Sequence, residues 1–162
     1  MKIDFLFLFL LTLLLTTLIP KTFSQSAEYK LKALSDNADV IAVGNISSQV
    51  SGWNSDKSRI FTEATLKISE ILKGDNNGGK VVITYPGGEI DGVGEIYTHM
   101  PKFEKNEDVL VFLKKDNKGY KVYDGEDGKI KIITDSKSGQ KMTTSNVRLE
   151  SLKKQIKEYL NK

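Results

Sequence analysis

Residues 39–72 read DVIAVGNISSQVSGWNSDKSRIFTEATLKISEIL, and the spacing of their apolar positions decides the fold class. From Ile60 the period is two. Ile60, Thr62, Ala64, Leu66 and Ile68 share one face, and Glu63, Thr65, Lys67 and Ser69 share the other. Alternation over this length is the mark of a half-buried β-strand, because successive side chains of an extended chain point to opposite faces. The alternation slips at Ile71–Leu72, which predicts a bulge or strong bend. Upstream, Val40, Ile41, Ala42 and Val43 are apolar on both faces, and alternation follows at Ile46, Ser48 and Val50. That strand starts buried on both sides and ends at an edge. Gly52–Ser58 (GWNSDKS) reads as the polar loop joining the two.

Working outward, Ala27–Ala38 carries Leu31, Leu34 and Ala38 at helical spacing. Gly74–Gly79 (GDNNGG) is a turn by composition, Lys80–Tyr85 a short strand, and Pro86–Lys102 a long glycine-rich loop. Asp108–Lys115 (DVLVFLKK) is a strongly apolar strand. The turn Asp116–Gly119 leads into a strand at Tyr120–Asp124, and Gly125–Gly128 into another at Lys129–Ile133. Residues 146–161 form a helix whose stripe is Leu149, Leu152, Ile156, Tyr159 and Leu160. The expected core joins that stripe to Val40, Ala42, Ile46, Leu66, Ile68, Val82, Val109, Val111 and Leu113. Five or six short, curved strands with a helix at each end predict a mainly β (α+β) fold. The expected form is a small antiparallel barrel of the oligonucleotide/oligosaccharide-binding (OB-like) type, since closure removes the edges that so small a flat sheet would expose.

The first residues carry an address. After Lys2, the run Phe5–Ile19 contains only Phe, Leu, Ile and Thr and is closed by Pro20. It matches the apolar centre of a secretory signal peptide and is short of the roughly 20 residues that span a bilayer. Ser24 and Ser26 stand three and one positions before a cut ahead of Ala27, while Thr22 and Ser24 offer a second cut. Residues 1–26 are therefore expected to be a signal peptide and 27–162 a single domain; the alternative is an uncleaved membrane anchor. Cleavage removes two lysines and one aspartate, so the formal net charge of +3 becomes +2 on the remaining 136 residues. Scattered, nearly balanced charge argues against a nucleic-acid binder. There is no cysteine, so thiolate nucleophiles, thiolate metal ligands and disulfides are all excluded. A cysteine-free exported domain of this size fits a bacterial or archaeal cell envelope or extracellular protein.

Candidate chemistry is sparse. His99 is the only histidine; no serine sits in a G-x-S-x-G turn, and a zinc site on one histidine would need three further carboxylates. It reads as a loop residue. Glu89, Asp91 and Glu95 sit in the glycine-rich loop, where oxygen ligands on a flexible segment could suit calcium, although their spacing is not that of an EF-hand. Acids among glycines more often keep a loop solvated. Asp124, Glu126 and Asp127 lie between glycines and read first as a hairpin turn. Gly87, Gly88, Gly92 and Gly94 are not followed by a helix or by Gly-Lys-Ser/Thr, so a phosphate cradle is not supported. Asn45-Ile46-Ser47 fits the glycosylation sequon, inside an expected strand. Tyr120 and Tyr123 are three apart on a strand and face opposite ways, which is no stacking platform. Trp53, the only tryptophan, stands in the polar Gly52–Ser58 stretch, either as a contact residue or as a plug across the barrel mouth.

Three segments together, DVIAVGNISS, RIFTEATLKISEILKG and PGGEIDGVGEIYTHMPKFEKNEDVLVFL, resemble the exported barrel domain of many uncharacterised bacterial and archaeal proteins. In some of those it precedes a metalloprotease or adhesive region. GKIKIITD and the closing helix extend the resemblance over nearly all of residues 27–162. The first two segments are also similar to the netrin-like domain, the OB-type barrel of tissue metalloprotease inhibitors. That resemblance implies the fold. The inhibitors' zinc-chelating N-terminal cysteine has no counterpart here, so their mechanism does not carry over.

No base, nucleophile and orienting group can be named together, so the reading is a non-enzymatic binding or interaction module with no cofactor. Its expected partner surface is Trp53 with Glu89, Asp91 and Glu95, on an ordered flap over one barrel end that Ile90, Val93, Ile96, Met100 and Phe103 pin down. The partner is expected to be a protein or envelope component. The rival readings are a protease inhibitor of netrin-like type without the cysteine mechanism, and a metal-binding domain on Glu89, Asp91 and Glu95.

Overall fold

The computed structural model describes residues 22–75, 78–117 and 119–162. The apolar run Phe5–Ile19 and the start of the expected signal peptide lie outside them, as do two residues of the Gly74–Gly79 turn. Among the described residues no helix is long and apolar enough to cross a membrane. The chain divides into two compact units, Met1–Leu31 and Lys32–Lys162. Of the first, the described part is the opening of helix α1 (Thr22–Asn37).

The second unit is mainly β. Its strands are β1 (Val40–Trp53), β2 (Ile60–Lys73), β3 (Lys80–Pro86), β4 (Gly88–Ile90), β5 (Val93–Glu95), β6 (Asp108–Asp116), β7 (Gly119–Val122), β8 (Lys129–Thr134) and β9 (Lys141–Thr143), and helix α2 (Leu149–Leu160) follows. Seven strands form one sheet in the order β1-β2-β3-β7-β6-β8-β9, and β4 with β5 makes a separate hairpin. β1 pairs with β6 as well as with β2, so pairings followed from β1 through β2, β3, β7 and β6 lead back to β1. The sheet is mixed. β3 and β7 run parallel at Ile83–Tyr120, which corrects the expectation of a wholly antiparallel sheet of five or six strands. A short parallel contact between two strands from different hairpins leaves no trace in local periodicity.

The β1–β2 register explains how the strands curve. One extra β2 residue, Leu72, falls between the pairs Ile41–Lys73 and Ala42–Ile71, at the slip expected from the sequence. Another, Ser69, falls between Val43–Glu70 and Gly44–Ile68. A third irregularity puts Ser47 of β1 between Ile46–Leu66 and Ser48–Thr65. Each added residue bends the strand and raises its twist. The bulge at Ser47 also exchanges faces. Ile46 is buried, and beyond the bulge Gln49 and Ser51 turn inward opposite Ala64 and Thr62, while Val50 turns out opposite Glu63. The expectation that Ile46, Ser48 and Val50 share a face is overturned for that reason.

The core gathers Val40, Ala42 and Ile46 of β1, Ala64 and Leu66 of β2, Val109, Val111 and Leu113 of β6, and Val81, Ile83 and Tyr85 of β3, with Ile68 packed at its margin. Val82, placed in the core from sequence, is 37% exposed. Its neighbours Val81 and Ile83 face inward instead, and a one-residue shift in a strand moves every side chain to the opposite face. α2 begins at Leu149 rather than near 146, because Asn146 adopts φ 61° in a turn. In that turn Val147 N donates to Thr143 Oγ1 at 3.1 Å. Leu149, Leu152, Ile156 and Tyr159 are its buried stripe. Lys153 on the same side reaches Glu70 of β2 at 2.6 Å and Glu150 at 2.6 Å.

Candidate functional site

Two concave regions lie around the far ends of β1 and β2, and they divide the residues nominated from sequence. The first is a groove of about 660 Å³ lined by Val50, Trp53, Phe61, Glu63, Thr84 and Asp116, among others. Its floor is the outward face of three paired strands, where Val50 of β1 stands opposite Glu63 of β2 and Glu63 opposite Thr84 of β3. One wall is the end of β1. The strand continues to Trp53, paired with Ile60, so the tryptophan sits on a strand end and not within a loop. It is 40% exposed.

The loop after it is held by its own side chains. Asn54 Oδ1 accepts from Ser58 N at 2.9 Å and from Arg59 N at 3.0 Å. Asp56 accepts from the Ser58 hydroxyl at 2.8 Å, and that bond holds its carboxyl below the usual carboxylate range. The opposite wall is the β6–β7 turn, where Asp116 Oδ1 accepts from Asn117 N at 2.8 Å. That turn lies hard against β3. A Cβ on Gly119, whose φ is 138°, would come within 2.9 Å of Val82 O.

The second region lies under the segment expected to form a flap. Pro86–Lys102 is not irregular throughout, for it contains the β4–β5 hairpin turning at Asp91–Gly92. Gly87 N donates to Ile60 O at 2.8 Å, Thr62 Oγ1 to Gly87 O at 2.6 Å, and Ile60 N to Glu95 Oε2 at 3.1 Å. Tyr97 OH donates to the same Glu95 oxygen at 3.0 Å, which raises the Tyr97 pKa. Gly88 at φ 137° packs on Ser51 and Thr62, where a Cβ would collide with both hydroxyls. Farther along, Glu126 N donates to His99 O at 3.0 Å. Lys129 donates to Lys102 O, covers the Phe103 ring at 4.9 Å and pairs with buried Glu107 at 2.9 Å.

Hydrogen bonds from Ile60, Thr62 and Tyr97 to Gly87 and Glu95 therefore hold the hairpin, together with that from Gly87 N to Ile60 O. Of the five apolar anchors expected, Phe103 is buried against Tyr85 with ring centroids 5.6 Å apart, and Ile90 is half-buried. Val93, Ile96 and Met100 are exposed, Ile96 by 79%. Beneath the hairpin is a cavity of about 430 Å³ lined by Gln49, Ser51, Thr62, Tyr85, Glu95 and Phe103, among others. Burial pushes the Tyr85 hydroxyl pKa up, against a hydrogen bond from the Phe103 backbone.

Glu89 and Asp91 are exposed on the hairpin, while Glu95 is turned inward and engaged. Trp53 lines one region; Glu89 and Glu95 line the other. No group of three or more His, Cys, Asp or Glu side chains is placed to hold a metal ion among the described residues. Asp124, at φ 60°, opens a 3-10 turn over Gly125–Gly128, in keeping with its reading as a turn residue. Asn45 donates to Asn106 O at 2.9 Å and Asp108 Oδ1 at 2.8 Å, so its amide is committed within the fold.

Sequence reasoning missed Phe61, Glu63, Thr84 and Asp116 as neighbours of Trp53. One signal was readable: Phe61 is an aromatic on the polar face of an alternating strand. No protein-family model and no curated protein matches the chain.

Proposed function

We propose that the protein is an exported, non-enzymatic binding module of the cell envelope or extracellular space, and that the Trp53 groove is its contact surface. The observation that carries this reading is the exposed Trp53 on the rim of a groove of about 660 Å³, beside a loop tied by its own hydrogen bonds. A wall already ordered before binding loses little conformational freedom on association, so more of the contact energy appears as affinity. The frame supports the same reading. Strands β1, β2, β3, β7 and β6 pairing in a ring, with the parallel β3–β7 contact closing it, are what a small OB-like barrel requires, and such barrels bind ligands across the face of their second and third strands. The export signal expected from Phe5–Ile19 gives the location.

The test is recovery of a partner from envelope extract by residues 27–162 and by a Trp53→Ala variant. A central aromatic contact is worth about 2 kcal/mol or more, some thirtyfold in affinity. Recovery should therefore be lost in the variant while its thermal unfolding midpoint stays within a few degrees. Unchanged recovery would remove the groove from the interface. The combined Glu89→Ala, Asp91→Ala variant separates the hairpin from the groove: its recovery should match the parent's, since neither side chain lines the Trp53 groove.

A further inference from the structure

We propose that this groove receives a cationic side chain, arginine before lysine, presented by an extended segment of a partner polypeptide. The inference rests on the reading of the groove as the contact surface and adds the chemistry of what enters it. The charge of the lining is the first argument. Glu63 and Asp116 face the groove, and among the described residues that line it there is no lysine or arginine, Lys118 of the β6–β7 turn lying outside the described residues. Neither carboxylate forms an ion pair among the described residues, whereas Glu70, Glu104, Glu107 and Asp108 all do. Two unpaired carboxylates repel phosphate and carboxylate ligands and attract a cation.

The aromatic wall is the second argument. An exposed indole attracts a guanidinium or ammonium over its face, most strongly when the cation is also held at its edge by carboxylates. Guanidinium is planar, so it can lie on Trp53 while its N–H groups fork toward Glu63 or Asp116; ammonium has no plane to stack. The third argument is extent. A volume of about 660 Å³ far exceeds one guanidinium, and apolar surface continues from it along Val50, which is 67% exposed, and Phe61. Apolar flanks beside a charge pocket suit a polypeptide rather than a free amine. Thr84 Oγ1, buried at the floor with no partner among the described residues, offers a hydrogen bond to the same guest.

Because Trp53 is the only tryptophan, its fluorescence reports the groove directly. Residues 27–162 are titrated with blocked pentapeptides that differ only in a central Arg, Lys, Gln or Glu, and with an uncharged hexasaccharide. The Arg peptide should give a saturable change, Lys a weaker one, and the Gln, Glu and saccharide probes none. Glu63→Gln and Asp116→Asn should each weaken Arg-peptide binding about two- to fivefold, as exposed ion pairs do, and together by roughly tenfold. Asp116→Asn keeps a side-chain oxygen for Asn117 N, so the turn survives. Raising salt from 50 to 500 mM should weaken the parent and leave the double variant little changed. Equal responses to the Arg, Gln and Glu peptides, or saturation by the saccharide instead, would overturn the cation assignment. Partner recovery that depends on Trp53 but ignores both carboxylates would do the same while leaving the groove as the contact surface. Recovery indifferent to Trp53→Ala removes the groove itself.

Discussion

Val81 and Val82 are adjacent, chemically identical and opposite in fate. Val81 is 4% exposed among the core residues, while Val82 stands on the outer face opposite Thr65. Position in the register, not hydrophobicity, decides what each contributes. Val81→Ala should destabilise by about 2 kcal/mol, the transfer free energy of two buried methyl groups with some cavity cost. Val82→Thr should stay within about 0.5 kcal/mol, as surface changes usually do. Urea titrations of both variants check this, and equal losses would put the strand in the other register. Residue-level reading went astray here because both valines belong to the apolar pair VV, which gives period-two analysis no phase. A different difficulty hid Gln49 and Ser51, where the alternation was clear but changed phase. Their inward placement follows from a bulge at Ser47, and that bulge is set by the partner strand.

Elements hold together through a few contacts that join distant parts of the chain. α2 is short, and helices of this length are marginal alone, so its packing stabilises it. Ile156 is fully buried, and Glu70 of β2 takes Lys153 at 2.6 Å and Lys157 at 3.3 Å. The bond from Lys153, against the cost of burial, holds the Glu70 carboxyl below the usual carboxylate range. The folded-state pKa is thus depressed relative to the unfolded chain. The contribution is fully present above about pH 5 and is lost as pH falls through the folded-state value. Unfolding free energy followed from pH 7 to about pH 3 should decline less steeply in Glu70→Gln than in the parent. Ile156→Ala should cost about 2–5 kcal/mol at every pH. Parallel pH profiles for Glu70→Gln and the parent would show that the ion pair does not couple the helix to the sheet. At the other end of β2, Lys73 donates to Ser35 O at 2.9 Å and Asp36 O at 2.8 Å, a cation on the last carbonyls of α1, where the helix dipole favours it.

At the scale of the whole molecule, the absence of cysteine leaves the fold to be held by noncovalent contacts, strand pairing and core packing foremost. Stability should therefore be insensitive to reducing agents in any compartment. The expected cut ahead of Ala27 falls inside α1, so processing would leave Ala27–Asn37 as its remaining helical part. Intact-mass measurement of the extracytoplasmic protein should give a chain starting near Ala27. A mass that retains Met1–Ser26 would identify an anchored protein.

What the sequence determined by itself was the existence and most boundaries of β1, β2, β3, β6, β7 and β8, the buried faces of β2 and β6, the bulge at Leu72 and the stripe of α2. All of these are local, because periodicity over 5–13 residues records which face a segment must bury. Tertiary structure alone decided the parallel β3–β7 contact, the three-residue strand β9, the face exchange at Ser47 and the hairpin inside Pro86–Lys102. It also decided the company Trp53 keeps. Glu63 lies ten residues away in sequence and Asp116 more than sixty, and they line one groove with Trp53 only because β1, β2 and β3 pair and Gly119, at the end of the β6–β7 turn, lies against β3. A ligand groove on a sheet face is assembled across strands, and the hydrogen bonds that set its rows carry no mark in any one strand's pattern.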